Sequence, residues 1–320
     1  MLEKINVLIT GGAGFIGSSL IDLLLENGNY NITCIDNFDP FYDKNVKNSN
    51  IKNHITNGNY KLIEADINDL DKIYPNLDSS YDIIVHLAAK AGVRPSILNP
   101  ILYQQVNVVG LQSILAIAKE KKVKQFIFGS SSSVYGLNSN IPWSESDNDL
   151  KPISPYAASK IAGEWVGKAF CQLHNIRFIA LRFFTVYGPK QRPDLAINNF
   201  THKIINDIPI DFFGDGSTLR DYTYIDDIVN GIVSSMHYSK SNFEIINLGN
   251  NTPVTLTYLL STIEEVIGKK AIVNHLPNQP GDVPATFANI TKANNLLNYT
   301  PTTELKVGVE KFVKWKINGK

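Results

Sequence analysis

Tyr156 and Lys160 stand one helical turn apart in the segment Tyr-Ala-Ala-Ser-Lys, so both side chains share a face. An ammonium beside a phenol favours the phenolate, and a nearby nicotinamide cation favours it further. A phenol of ordinary pKa about 10 then serves as a base near neutral pH. Just upstream, an apolar run ends in Ser130, Ser131, Ser132 and Ser133, whose hydroxyls can hydrogen-bond a reacting alcohol and relay its proton. A tyrosine–lysine pair is ordinary in a helix, and a serine run is ordinary in a turn. A third feature changes their weight. Gly11, Gly14 and Gly17 fall between an apolar run and a helical pattern in TGGAGFIG. Glycine there lets backbone touch a pyrophosphate, and the helix beyond it points its free amides at that anion. Together the three features describe hydride exchange between a sugar alcohol and a nicotinamide dinucleotide.

Asp36 ends the second apolar run, about twenty residues beyond the glycines, where a carboxylate binds ribose hydroxyls. An acid at that place repels a 2′-phosphate, which favours NAD over NADP. Asp66 ends the third run and reads either as an adenine-edge contact, followed by Ile67, or as a helix cap. The six histidines are scattered without metal-ligand spacing, and His86 reads as a strand residue. Cys34 and Cys171 read as buried free thiols of a reducing compartment.

Elements that would position these residues are set by the apolar pattern. Runs at 5–10, 31–36, 60–66, 82–89, 125–132, 177–184 and 243–249 are continuous rather than alternating, as for strands covered on both faces. Amphipathic helical stretches lie between them. Strand alternating with helix predicts an α/β fold built on a doubly wound parallel sheet. The polar stretch 43–59 reads as a surface excursion. After about Tyr187 the rhythm gives way to loops and short helices, including a Pro/Gly-rich stretch at 276–289. Residues 1–186 are expected to form the NAD-binding domain. Residues 187–320 are expected to form mainly a smaller, interleaved substrate region, with the strand at 243–249 returning to the sheet. The chain has 320 residues, 43% of them hydrophobic and 19% charged, with 30 basic and 30 acidic side chains. That balance offers no global field for nucleic acid or an anionic membrane. No run reaches the roughly 18 apolar residues of a membrane span, and no secretory leader precedes the first strand. The expected location is cytoplasmic.

The segments TGGAGFIG, HLAA, Asn107-Val-Val-Gly110, SSSSVYG, SPYAASK and RDYTYIDD occur in that order across nearly the whole chain. In this the chain resembles the extended short-chain dehydrogenases/reductases with a Rossmann-type fold, and among them the nucleotide-sugar epimerases. The resemblance implies a catalytic trio of Ser131, Tyr156 and Lys160. It implies NAD contacts from Gly11, Gly14, Phe15, Ile16, Gly17, Asp36, Asn37, Asp66, Ile67, Ala88, Asn107, Tyr156 and Lys160. It also implies tightly held NAD regenerated in each cycle, and a homodimer formed through helices near 103–121 and 156–174. Related dehydratases carry an Asp-Glu pair where this chain has Ser132-Ser133, and related decarboxylases of UDP-glucuronate carry glutamate where Ser133 stands. What remains is oxidation and reduction at one carbon, which is epimerisation.

PFYD (40–43), AGVRPS (91–96), LRFFTVYGPKQRPDLA (181–196) and QPGDVPAT (279–286) resemble UDP-glucuronate 4-epimerases. Relatives acting on neutral sugars usually carry asparagine in place of Thr185. The resemblance implies that Thr185 holds the C6 carboxylate and that Arg192 contacts it or the phosphates. Arg220 would meet the diphosphate and Phe213 and Asp282 the uridine end, with Arg94, Ser132 and Ser133 completing the substrate set. A firm grip has a chemical reason: oxidation at C4 makes a β-keto acid, which loses CO2 when the C5–C6 bond aligns with the carbonyl π system. Lys190-Gln191, Leu195 and Asn289 depart from the pattern. The rival readings are a UDP-glucose or UDP-N-acetylhexosamine 4-epimerase, a dehydratase or reductase on the same scaffold, and a non-catalytic dinucleotide sensor.

Overall fold

A computed structural model of the chain describes residues 4–277 and 282–319, so positions 279–281 of the QPGDVPAT segment lie outside it. Seven strands form one parallel sheet: β1 (Ile5–Thr10), β2 (Tyr30–Asp36), β3 (Tyr60–Glu64), β4 (Ile83–His86), β5 (Gln125–Ser131), β6 (Arg177–Phe183) and β7 (Phe243–Leu248). Their order across the sheet is β7-β6-β5-β4-β1-β2-β3. The chain winds outward from β1 to β3, then returns to the other side of β1 as β4. The carboxyl ends of β1 and β4 therefore flank a crevice, the place where such sheets bind ligands. Four helices carry side chains of that crevice, α1 (Phe15–Asn27), α2 (Lys44–Ile51), α3 (Pro100–Glu120, with one π turn at Gln105–Val109) and α4 (Pro155–His174), and a fifth, α5 (Ile225–Met236), packs against α1.

Both faces of the sheet are covered, which is why its strands read as unbroken apolar runs. Val7, Ile9, Val85, Ile127, Ile179 and Ile246 pack on the side of α1 and α5. Leu8, Ile84, Phe126, Phe128, Phe178 and Ala180 pack on the side of α3 and α4. Helix α4 starts where a cap dictates, with the Ser154 hydroxyl accepting from Ala157 N at 3.1 Å and Pro155 in the first turn. It then lies unusually close to the sheet. A Cβ on Gly167 would stand 2.1 Å from the Phe178 ring, which is itself stacked between Phe126 and Phe243.

Two expectations change. The polar stretch 43–59 is not a mere surface excursion: Asp43 caps α2 through Asn45 N at 2.8 Å, and Lys47, Asn50, Ile51 and His54 are buried. Composition hid this because most of the buried groups are polar and satisfied by polar partners, as when Asn50 Nδ2 donates to Ala13 O at 3.1 Å. Helix α3 is, against the count of unbroken apolar runs, long and apolar enough by length and composition to cross a membrane. Gln104, Gln105, Asn107 and Gln112 interrupt its run in sequence. Here Leu111, Ile114, Leu115 and Ile117 bury its inner face in the layer beneath the sheet.

Beyond β6 the chain builds three two-stranded sheets: Thr185–Tyr187 with Tyr222–Tyr224, Leu219–Arg220 with Val254–Thr255, and Ile210–Phe213 with Val273–Leu276. β7 and α5 return to the main layer between them. Asp221 stitches these loops together. Its buried carboxylate accepts from Asn250 N, Asn251 N and Ala288 N at 2.7, 3.0 and 3.0 Å, while its carbonyl accepts from Thr185 N at 3.0 Å.

Gly167→Ala sets two effects against each other. Helix propensity favours alanine by about 1 kcal/mol, whereas overpacking against a ring that cannot retreat costs about 1–3 kcal/mol. The variant is expected to melt below the parent, measured by thermal unfolding; an equal or higher midpoint would contradict the packing described.

Candidate active site

The crevice between β1 and β4 opens into one cavity of about 750 Å³. At its floor the glycine turn runs from β1 into α1, whose N-terminus carries no side-chain cap among the described residues, so its first amides face the cavity uncompensated. A Cβ on Gly17 would stand 2.3 Å from Gly11 O, and one on Gly11 would stand 2.7 Å from Ala88 N. The turn is thus a backbone cradle that side chains would fill. Gly14, Phe15, Ile16, Asn37, Asp66, Ile67 and Ala88 also line the cavity. Asp36 sits at the end of β2, where its oxygens accept from Ala13 N at 3.0 Å and Phe38 N at 2.8 Å. Lys47 Nζ lies 3.8 Å away. The carboxylate keeps lone pairs for ribose hydroxyls while two amides fix its plane. The cradle, the bare helix terminus and the oriented acid fit a dinucleotide.

Asp66 does not cap a helix. It accepts from Asn37 Nδ2 at 2.8 Å and from Asn68 N at 2.9 Å, and the cap of the following turn is Asp69. Asn107 does not line the cavity. Its amide is spent on Lys90 N, Lys90 O and Ser159 Oγ, at 2.8, 3.0 and 2.9 Å, so it shapes the loop after β4 from behind.

At the carboxyl end of β5, Ser131 Oγ accepts from Ser133 N at 3.2 Å and Ser133 Oγ at 3.0 Å. Ser132 and Ser133 line the same wall. The α4 N-terminal turn brings Tyr156 to Ser131 and Lys160 beneath it. Lys160 is 4% exposed, donates to Gly129 O at 2.7 Å and lies 4.9 Å over the Phe128 ring. Burial pulls the Lys160 ammonium down to about 7, with Glu164 opposing that shift. By spacing alone the ammonium should lower the phenol. In the structure burial dominates and pushes Tyr156 upward, offset by the Ser131 hydrogen bond and the Arg192 charge. The phenol is therefore a proton donor and acceptor that needs further positive charge beside it to work as a base near neutrality.

The opposite wall is polar. Thr185, Arg192, Arg220 and Asp282 line the cavity, whereas Arg94 and Phe213 lie outside it. Arg94 pairs with Asp282 at 2.8 Å and covers the Phe213 ring at 5.5 Å. Arg192 is held by Asp194 through two bonds of 2.9 and 2.6 Å and lies 5.1 Å over Phe41. Arg220 donates to its neighbour Leu219 O and makes no ion pair within 4 Å among the described residues. Burial lowers its pKa, with Tyr222 and Asp282 working the other way. A partly buried guanidinium without a carboxylate partner is a ready site for a phosphate. Lys190, one of the departures, reaches back from this loop to Asp22 on α1 and to Asn50 O at 3.2 Å. His54 Nε2 lies 2.5 Å from the same aspartate.

Sequence reasoning passed over Glu164, Arg182 and Asp221, none of which touches the cavity. Arg182 did leave a signal: a lone charge inside the apolar run of β6 has to find a buried partner.

Residues 8–312 match the family model described as GDP-mannose 4,6 dehydratase. UDP-glucuronate 4-epimerase 1 of Arabidopsis thaliana is 38% identical, over 98% of this chain and 77% of its own length. A UDP-glucuronic acid 4-epimerase from Bacillus cereus, solved with UDP-glucuronic acid and NAD, is 36% identical with a TM-score of 0.91, covering 99% of this chain and 100% of its own. A UDP-N-acetylglucosamine 4-epimerase from Methanobrevibacter ruminantium, solved with UDP-N-acetylmuramic acid, is 31% identical with a TM-score of 0.90 over the full length of both. The chain thus belongs to the GDP-mannose 4,6 dehydratase family of extended short-chain dehydrogenases/reductases and is similar throughout to its nucleotide-sugar epimerases.

Proposed function

We propose that the chain is an NAD-dependent UDP-sugar 4-epimerase that interconverts UDP-glucuronate and UDP-galacturonate through a 4-keto sugar. One observation carries the reading: a single cavity joins Ser131 and Tyr156 to Thr185, Arg192 and Arg220, with serines rather than acids at 132 and 133. Elimination of water would need an acid and a base at those two positions, so the hydroxyls favour simple oxidation and return.

Gly11, Gly14, Gly17 and the α1 amides would hold the pyrophosphate of NAD, and Asp36 its ribose hydroxyls, with Asn37, Asp66, Ile67 and Ala88 along the adenosine. When bound, NAD supplies hydride acceptance and return. Tyr156 takes the 4-hydroxyl proton at its phenolate oxygen, and Ser131 orients that hydroxyl. Lys160 holds positive charge below the phenol. Arg220 keeps hold of the diphosphate while the keto sugar turns over, so the same tyrosine can return the proton. Thr185 and Arg192 would fix the carboxylate and keep the C5–C6 bond out of line with the C4 carbonyl, which suppresses loss of CO2.

A second reading, a neutral or acetamido sugar as substrate, has an observation of its own. Asp194 already neutralises Arg192 through two bonds, which weakens its pull on a carboxylate. The relative solved with UDP-N-acetylmuramic acid supports the same alternative.

Self-association through α3 and α4 is part of the proposal. Ile101 and Leu173 are 70% and 76% exposed on these helices, and Val109 and Trp165 are exposed beside them. Such apolar surface favours a partner, here a second copy of the chain. Sedimentation at twice the chain mass is expected, and a monomer at micromolar concentration would end that part. A cytoplasmic location fits the nucleotide-linked substrates and NAD.

Proton NMR of the purified protein with UDP-glucuronate, UDP-glucose and UDP-N-acetylglucosamine in parallel separates the readings. UDP-galacturonate formed without added NAD, and without a UDP-pentose by-product, is expected. Turnover of a neutral sugar alone would move the assignment to the second reading. Tyr156→Phe is expected to lower kcat by roughly 100- to 10,000-fold, with little change in KM. Undiminished turnover would remove Tyr156 from the chemistry.

A further inference from the structure

Three consecutive residues of β5 meet three residues of α4 spaced one turn apart. Gly129 O accepts from Lys160 Nζ at 2.7 Å, Ser130 Oγ donates to Glu164 Oε1 at 2.6 Å, and Ser131 meets Tyr156. Residues 156, 160 and 164 share a helix face. The strand end and the helix are therefore held in a three-rung register, with the Ser131–Tyr156 contact as one rung. The middle residue of the strand is reinforced from its neighbour. Arg182 is the β6 partner of Ser130 in the sheet, and its guanidinium grips Glu164 through Nε to Oε1 at 2.9 Å and Nη2 to Oε2 at 2.8 Å. Both side chains are 2% exposed. The remaining Arg182 nitrogen has no hydrogen-bond partner among the described residues, and the guanidinium lies 4.8 Å over the Tyr135 ring.

We propose that Glu164, held by Arg182 and Ser130, is a positioning residue of the hydride-transfer site that locks α4 in register with β5 and so keeps Tyr156 on Ser131 and Lys160 on the Gly129 carbonyl. The inference rests on the epimerase reading of that site. A buried ion pair is weak evidence for stability, since apolar residues of similar volume often serve as well. Its location beneath the catalytic pair gives it a different use.

The surroundings of Lys160 support this. On its own helix it has Tyr156 and Glu164. From β5 it meets the Gly129 carbonyl and the Phe128 ring. From β4 it faces His86, which is neutral: burial takes its pKa down to about 3, Lys160 adds to that, and its Nδ1 lies 2.8 Å from Thr10 Oγ1. Arg182 on β6 is occupied by Glu164, and Arg192 acts on Tyr156 from the substrate loop. Among the described residues, Glu164 is the one group whose charge raises the Lys160 pKa against burial. Without that carboxylate α4 is free to slip along β5, and Tyr156 loses the Ser131 hydrogen bond that favours its phenolate. Ionisation of Tyr156 then moves to higher pH.

Glu164→Gln tests this directly, and the double variant Glu164→Gln with Arg182→Met keeps a buried cation from being stranded if the single one fails to fold. Two readouts are taken on each: the pH dependence of kcat and KM, and ultraviolet titration of tyrosinate in excess of that in Tyr156→Phe. The titration needs no turnover, so it decides the inference even if the wild-type chain converts no UDP-sugar and the functional reading falls. The folded variant is expected to show its Tyr156 ionisation, and the acid limb of kcat, moved up by about one pH unit, about tenfold in kcat at a fixed pH below the midpoint, with KM for the UDP-sugar unchanged. An unmoved ionisation in a folded variant, or a loss of kcat equal at every pH, would reduce Glu164 to a structural ion pair and overturn the proposal.

Discussion

Close docking of α4 on the edge between β5 and β6 is the constraint on which the site depends. The helix carries Tyr156 and Lys160, the strand carries Ser131, and neither alone holds the other at working distance. Apolar packing supplies the approach: Phe126, Phe178 and Phe243 stack beneath the helix, and Gly167 lets the helix backbone settle onto them. Such packing is strong but indifferent to small slips along the helix axis. The polar rungs at Gly129 and Ser130 are directional and remove that freedom. Burial that fixes geometry also opposes charge, and this tension shows in Lys160 and Tyr156, both shifted toward their neutral forms. A site arranged this way stays quiet until positive charge arrives beside the phenol.

The same logic governs the dinucleotide end. Backbone lines the crevice there, through a turn with no room for side chains and a helix terminus left without a side-chain cap. Asp36 is fixed by two amides before any ligand arrives, so its free lone pairs are preorganised. Lys47 beside it offsets its charge from α2, which ties the polar stretch after β2 to the cofactor crevice. Lys190 carries the tie further, linking the loop that bears Arg192 to α1 and α2. The cofactor and sugar walls of the cavity are thus braced against each other through side chains that sequence composition treats as surface.

What could be read from sequence divides along physical lines. Unbroken apolar runs identified all seven sheet strands, including Phe243–Leu248, because a strand buried on both faces has no other pattern available. Local spacing singled out the glycine turn, Asp36, the serine run and the Tyr156–Lys160 pair, and the fold brings them to one cavity. The buried polar contacts were not legible. Helix α2 looked like loop because its inward residues are lysine and asparagine, and the partners of Asn107 at Lys90 and Ser159 are remote in sequence. Glu164 and Arg182 lie on separate elements, and only the register of β5 with β6 brings them together. The direction of the Tyr156 shift also escaped, since burial is a property of the fold and not of the pair.

In the proposed reaction hydride leaves C4 of the sugar and comes back to the same carbon without passing through solvent. UDP-glucuronate labelled with deuterium at C4, incubated with the protein in ordinary water, tests this most directly. UDP-galacturonate that keeps the deuterium at C4 is expected. Product carrying solvent hydrogen at C4 would contradict it.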